Sequence, residues 1–314
     1  MITSKCSTRI SLVGGSTDLQ GFVDGHGYGS VISFPCNLYT YISIFSDKNG
    51  FNNDGKYIIN YRKREEVDFI EDIKNDVARE VLNYFSCPPI NVSFNADIFS
   101  EGSGLASSSS YLISMIKAVS EYKKVPLNEF DICSIALKLE RKFNPLTGYQ
   151  DIYGCGLSGF KRLHFKKDGV KADFLDPLFL NKFNMSLIYT GVKRSSTDVL
   201  KSLDFKKIEK LLPLVDEMES AIRRGDGARF LEIIGDGWAK KKETSPLLTQ
   251  DERVKAIDVE LSQIEEVLAH KLCGAGNGGY FLAFTAKEFD LKERLRGRVV
   301  NISISNKALQ TISL

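Results

Sequence analysis

The stretch Glu101-Gly102-Ser103-Gly104-Leu105-Ala106-Ser107-Ser108-Ser109-Ser110 lies between an alternating run, INVSFNADI, and an apolar helical run, YLISMIKAVS. A strand, a loop of small residues and a helix in that order constrain this chain more than any other feature. Glycines let a backbone come close to a ligand, and consecutive N–H groups can point inward. The helix N-terminus adds roughly half a positive charge. The segment therefore reads as an anion trap suited to phosphate, with serine hydroxyls as extra donors or as ligands to a Mg²⁺ ion carried by a nucleotide. It is not a Walker A loop, because no G-K-[ST] closes it. The other reading is a solvent-exposed, serine-rich connection.

Two more glycine clusters invite the same question. Lys271-Leu272-Cys273-Gly274-Ala275-Gly276-Asn277-Gly278-Gly279-Tyr280 feeds the strand-like YFLAF, and Gly14-Gly15 follows the strand-like RISLV. Ordering so many glycines is entropically costly, so something must offset it. Taken alone, either could be a tight connection.

Composition narrows the partners. A formal charge of +2, from 42 Lys and Arg against 40 Asp and Glu, gives no excess to hold a polyanion, so no nucleic acid is expected. No apolar run approaches the ~20 residues of a membrane span. The start, MITSKCSTRISLVGG, lacks the apolar core of a secretion signal and enters a strand pattern directly. Cys6, Cys36, Cys87, Cys133, Cys155 and Cys273 are widely spaced with no C-x-x-C pair, and read as free thiols in a reducing cytoplasm. His26, His164 and His270 are too few and too scattered for a His-rich metal centre. A cytoplasmic enzyme or small-molecule binding module is expected, as a monomer or homodimer.

At 314 residues, one large domain or two ordinary ones fit. Strands are expected over 8–13, 29–34, 38–45 and 57–62, with a helix over 68–85 broken by Pro88-Pro89. Helices follow over 107–122 and 127–143, the second capped by Asn128, and a hairpin turns at Lys167-Asp168-Gly169. A strand at 185–191 opens a helical second half, with helices near 205–224, 227–242 and 252–269 and strands near 279–284 and 298–304. The domain boundary is placed near residue 178.

Taken together, the motifs resemble the GHMP kinases (galactokinase, homoserine kinase, mevalonate kinase, phosphomevalonate kinase) along nearly the whole chain. The resemblance is closest to the bacterial subgroup acting on D-glycero-D-manno-heptose 7-phosphate. That subgroup typically carries R-I-S-F-V-G-G-G-T-D, matched by the run from Arg9 to Asp18, and G-S-G-L-G-S-S-S, matched from Gly102 to Ser109 with one change. Its K-Q-D-Q-Y-A corresponds to the segment from Tyr149 to Gly154. Its T-G-x-x-R appears as Thr190-Gly191-Val192-Lys193-Arg194, and its W-x-x-K helix as Trp238 to Lys241. The resemblance implies a two-domain α+β fold. Residues 1–178 would form an α/β domain like the second domain of ribosomal protein S5, and residues 179–314 a ferredoxin-like domain, with ATP and a sugar or sugar phosphate meeting between them.

The resemblance also implies roles. Residues Gly102, Ser103, Gly104, Leu105, Ala106, Ser107, Ser108 and Ser109 would hold the ATP phosphates, and Ser108 and Glu140 the Mg²⁺ ion. Asp151 would orient the acceptor hydroxyl and take its proton. An ordinary aspartate, pKa ~3.9, is a feeble base toward an alcohol, so that transfer is expected late. Arg9 would keep Asp151 ionised and stabilise the transferring group. Gly15, Ser16, Thr17, Asp18, Gly274, Ala275 and Gly276 would bind the sugar, and Lys193 and Arg194 an anionic substituent such as a 7-phosphate. From the residues alone, Glu140 could equally be a helix-surface glutamate. Asp151 or Thr17-Asp18 could be turn or cap residues, and Lys193-Arg194 a solvated charge pair. Trp238 reads as core rather than as a stacking platform.

The sequence departs from the family at Ala106, usually glycine, where a positive φ would strain the loop. It departs again at Asn277, also usually glycine, and Glu101 adds a negative charge beside the proposed phosphate site. A kinase for a free sugar such as fucose or galactose, or a catalytically impaired sugar- or nucleotide-binding regulator, remain alternatives. A dinucleotide-binding oxidoreductase is excluded, since no G-x-G-x-x-G follows the first strand.

Overall fold

Strand-rich segments at the start of the chain pair with one another and found the larger of two sheets. A computed structural model describes residues 1–46, 55–98, 102–193, 196–295 and 297–313. The first half runs β1 (Ile2–Val13), α1 (Gln20–His26), β2 (Gly29–Phe45), β3 (Tyr57–Asn60), β4 (Arg64–Val67), α2 (Asp76–Tyr84), β5 (Asn91–Ala96) and α3 (Ser107–Tyr122). It continues through α4 (Glu129–Phe143), α5 (Tyr149–Gly156), β6 (Lys161–Lys166) and β7 (Gly169–Phe174). The second half runs β8 (Asn184–Tyr189), α6 (Ser196–Lys201), α7 (Phe205–Glu209), α8 (Leu212–Arg224), α9 (Gly227–Glu243) and α10 (Glu252–Ser262). It ends with β9 (Val267–Leu272), β10 (Tyr280–Thr285), α11 (Leu291–Arg294), β11 (Val299–Ile302) and β12 (Leu309–Ser313).

The larger sheet has the order β12-β1-β2-β5-β3-β4, with β6 on β2 and β7 on β6; the smaller has the order β11-β8-β10-β9. All pairings are antiparallel except β3 with β5. Helices α2–α5 bury Val81, Leu82, Leu112, Ile116, Leu139 and Ile152 against Val31, Ile42, Val92 and Leu163 of the larger sheet. Ile10, Leu12 and Phe34 of that sheet meet Leu187, Leu214, Phe230 and Phe284 in a second core, so the two sheets share apolar contacts. The fold is α+β with two sheet-and-helix units. The end of the chain returns to the first unit, because β12 pairs with β1 from Ile2 opposite Ser313 to Cys6 opposite Leu309.

Local differences from the sequence expectations have physical causes. The separate strands expected at 29–34 and 38–45 are one strand. Pro35 sits opposite Arg9 at a register shift, where a missing donor is tolerated, and its carbonyl accepts from the Ser305 amide at 2.7 Å. The helix expected from 68 starts at Asp76, because the Asn75 side chain accepts from the Ala78 amide at 2.9 Å and caps a new helix there. The helix expected over 205–224 is two, with Pro213 in the first turn of α8. The helix expected to reach 269 stops at Ser262, and 267–272 instead pairs with β10. Helix α3 spans 107–122 as expected, and α4 carries a capping box between Asn128 and Asp131.

Candidate active site

The small-residue loop opens directly into α3. Ala106, at the N-cap, lies in the left-handed region with φ 61° and ψ 37°, as the departure from glycine warned. Among the described residues no side chain caps α3, and no acid sits in its first turn, so its first amides stand as open donors there. Inside the loop, Ser103 Oγ accepts from the Leu105 amide at 3.2 Å and shares a hydrogen bond with Ser107 Oγ at 3.0 Å. The glycine cluster between Lys271 and Tyr280 braces it. Gly279 has φ 86°, and a Cβ there would lie 2.3 Å from the Ser103 carbonyl oxygen, so only glycine lets the second unit press on the loop this closely.

Facing the loop is the unforeseen short helix α5, with Asp151 in its first turn. Arg9 from β1, 2% exposed, donates to Asp151 Oδ1 from Nη2 at 2.7 Å and from Nε at 3.1 Å. Its Nη1 donates to the Gly104 carbonyl at 2.7 Å. One guanidinium thus joins the acidic helix to the loop. Burial would lower the Arg9 pKa, but the Asp151 carboxylate, with smaller contributions from Cys155 and Cys273, turns the net shift upward.

Two further carboxylates stand nearby. Asp18 accepts from the amides of Ser16 at 3.1 Å and Gln150 at 3.0 Å. Burial, reinforced by the Asp151 charge, still pushes its pKa up to about 6. Glu140 on α4 is 3% exposed and accepts from Ser109 Oγ at 2.8 Å. Burial outweighs that hydrogen bond and pushes its pKa up to about 7. No cation pairs with Glu140 among the described residues.

These groups line one cleft of about 180 Å³. Of the expected site residues it gathers Arg9, Ser16, Asp18, Gly102, Ser103, Gly104, Ala106, Ser107, Ser108, Ser109, Glu140, Asp151, Gly274 and Ala275. Others do not line it. Leu105 is packed in the core. The Thr17 hydroxyl is shared between the carbonyls of Gly14, in its own turn, and Ser30, on β2, and accepts from the Ser30 amide. Gly276 turns toward Leu248, and Lys193 is exposed. Gly15 borders an adjoining small cavity. Arg194 and Glu101 lie outside the described residues. Trp238 is core, 4% exposed, with Nε1 donating to Asp258 at 2.8 Å.

Sequence reasoning missed a second pocket of about 520 Å³, which shares Ser108 with the cleft. It is walled by Tyr61, Phe94 and Tyr111, with ring centroids of Phe94 and Tyr111 5.5 Å apart and of Tyr61 and Phe94 6.5 Å apart. Such a wall suits a flat, aromatic ligand. Its only signal was one aromatic residue in each of three separate segments.

An uncapped helix end, a carboxylate on the cleft wall tied to a buried arginine, and a buried carboxylate with no cationic partner among the described residues suit a phosphotransferase with an alcohol acceptor. Residues 71–159 match the family model described as the GHMP kinases N terminal domain, and the chain carries that domain. It is 26% identical to D-glycero-alpha-D-manno-heptose 7-phosphate kinase of Campylobacter jejuni, in an alignment covering 99% of this chain and 98% of that one. A solved D-glycero-D-manno-heptose 1-phosphate kinase from Bacteroides thetaiotaomicron superposes with a TM-score of 0.79 at 21% identity, covering 100% of this chain and 99% of that one. The Methanococcus jannaschii mevalonate kinase superposes with a TM-score of 0.76 at 18% identity, covering 98% of each chain. GHMP kinases use ATP, and the two-unit α+β architecture is theirs.

Proposed function

We propose that this protein is a cytoplasmic, Mg²⁺-dependent sugar kinase. It transfers the γ-phosphoryl group of ATP to the anomeric hydroxyl of D-glycero-D-manno-heptose 7-phosphate, giving the 1,7-bisphosphate for nucleotide-activated heptose and surface polysaccharide. The observation that carries this reading is the Arg9–Asp151 pair, which faces the open amides of α3 across one cleft.

In this reading the ATP phosphates lie on the amides and hydroxyls of residues 106–109, and the adenine lies against Tyr61, Phe94 and Tyr111. Ser108 and Glu140 hold the Mg²⁺ ion. A buried carboxylate with no cationic partner among the described residues, beside hydroxyl oxygens, is a donor set that a hard cation fits. Bound there, the ion neutralises phosphate charge. The acceptor hydroxyl hydrogen-bonds to Asp151. Both Arg9 contacts fall on Oδ1, so Oδ2 is the oxygen that takes the proton as the new P–O bond forms and the bond to ADP breaks. Arg9 stabilises the charge on the group in transit. Asp18 receives sugar hydroxyls.

ADP release measured across heptose 7-phosphate, free heptose, galactose and fucose tests the substrate. Turnover is expected at least ~10-fold above the free sugars with heptose 7-phosphate. Turnover of free sugars alone would assign a fucokinase- or galactokinase-like enzyme, and none with any sugar would leave a binding protein.

A further inference from the structure

Two lysines of the second unit converge on the glycine turn that follows β1, and neither belongs to the phosphoryl-transfer machinery described above. Lys271, on β9, donates from Nζ to the Ser11 carbonyl at 2.6 Å. Lys241, on α9, reaches Ser16 Oγ and the Gly15 carbonyl. Both line a cavity of about 30 Å³ bordered by Gly14, Gly15 and Gln150. Gln150 and Gly274 border this cavity and the cleft alike, so the two spaces adjoin.

Charge separates the two spaces. The cleft holds Asp18, Glu140 and Asp151 against the single guanidinium of Arg9, a setting that repels a second phosphate. The adjoining cavity presents two ammonium groups. Lys271 has one hydrogen-bond acceptor for three donors and no carboxylate within ion-pair distance among the described residues. Burial pushes its pKa down to about 8, with Arg9 adding to the effect, so an incoming anion would relieve a desolvated charge. The cavity holds about one water, so an anion would sit at its mouth, with the flexible lysine stems swinging to meet it.

We propose that Lys241 and Lys271 bind the phosphate that the sugar carries away from its reacting hydroxyl, and that they set the preference for a phosphorylated over a free sugar. This rests on the kinase reading above. It moves the anion site from Lys193 and Arg194, where the motif placed it, to the two lysines beside the Gly14-Gly15 turn.

The test compares wild type with Lys241→Met and Lys271→Met in steady-state kinetics, using heptose 7-phosphate and free heptose as acceptors. Each variant is expected to raise KM for the phosphorylated sugar at least ~10-fold while moving KM for ATP, and KM for free heptose, less than ~3-fold. Lys271→Arg, which keeps the charge, should recover most of the loss. If Lys271→Met does not fold, Lys241→Met carries the test alone. Equal losses on both sugars would mark the lysines as structural, and unchanged KM on the phosphorylated sugar would remove them from binding; either result overturns the inference and leaves the kinase reading standing. Wild-type turnover confined to free sugars would instead overturn both.

Discussion

Replacing Glu140 by glutamine should stabilise the ligand-free protein above neutral pH while disabling it as a catalyst. Glu140 is held almost out of water, and burial lifts its pKa from the ordinary 4.5 to about 7. The folded chain therefore keeps a proton that the unfolded chain has already lost. The stability this group allows is fully present below about pH 4.5, falls as pH rises and reaches its floor above about pH 7. A tenfold change in proton affinity is worth about 1.4 kcal/mol, so ionised Glu140 costs the apo-protein about 3 kcal/mol at pH 8. Glutamine cannot ionise, and its carbonyl can still accept from Ser109. Allowing about 1 kcal/mol for imperfect exchange of hydrogen bonds leaves a net gain of about 2 kcal/mol. Urea unfolding at pH 5, 6, 7 and 8, without nucleotide or Mg²⁺, should show the two proteins converging at low pH and separating as pH rises. Asp18, with its pKa raised to about 6, titrates in the same direction, so some slope remains in the variant. The kcat should fall at least ~10²-fold if the carboxylate holds the metal. A variant less stable than wild type at pH 8, or a pH slope equal to that of wild type, would refute the reasoning.

Asp151→Asn should lower kcat about 10³-fold while leaving ATP affinity, read by nucleotide fluorescence, within about 3-fold. An unchanged rate would remove Asp151 from the mechanism. Arg9→Met should lower kcat by a similar factor, and the double variant by little more than either single change, because the pair acts as a unit; a product of the two losses would mean independent roles. Gly279→Ala drives a Cβ to within 2.3 Å of the Ser103 carbonyl at a φ of 86°, so it should weaken ATP binding at least ~10-fold and lower Tm. Unaltered nucleotide affinity would show that the brace does not shape the loop.

What could be read from the sequence tracks the range of the interaction that fixes it. Helix α3 and the Asn128 cap of α4 depend on neighbours within a few residues, and both stand where the pattern placed them. Ala106 adopts the left-handed geometry that its place in the loop demanded. Helix α5 was hidden because its eight residues, YQDIYGCG, carry two glycines and no long apolar period. Strand β12 was hidden because its partner, β1, lies at the other end of the chain. The pocket of Tyr61, Phe94 and Tyr111 could not be read for the same reason: its rings come from the turn after β3, from β5 and from α3, far apart in sequence. Thr17 shows the converse limit. Its hydroxyl type suits a sugar, but Gly14 in the turn and Ser30 on β2 occupy it.

Arg9 explains why three distant segments make one site. Its amide donates to the Leu105 carbonyl at 3.1 Å, and its guanidinium donates to the Gly104 carbonyl and to Asp151. The span between phosphate loop and acidic helix is therefore set by a residue on a long central strand rather than by either loop. Strand β1 is held on both sides, by β2 and β12, so its position is over-determined. That rigidity lets the left-handed Ala106, worth roughly 1–2 kcal/mol of strain, persist in the loop. A loop free to relax would move Ala106 out of that conformation and draw the α3 amides away from the Asp151 side. The strain, the Gly279 brace and the Arg9 tie thus act together to hold a donor phosphate and an acceptor hydroxyl at a fixed separation, which is what phosphoryl transfer asks of a protein.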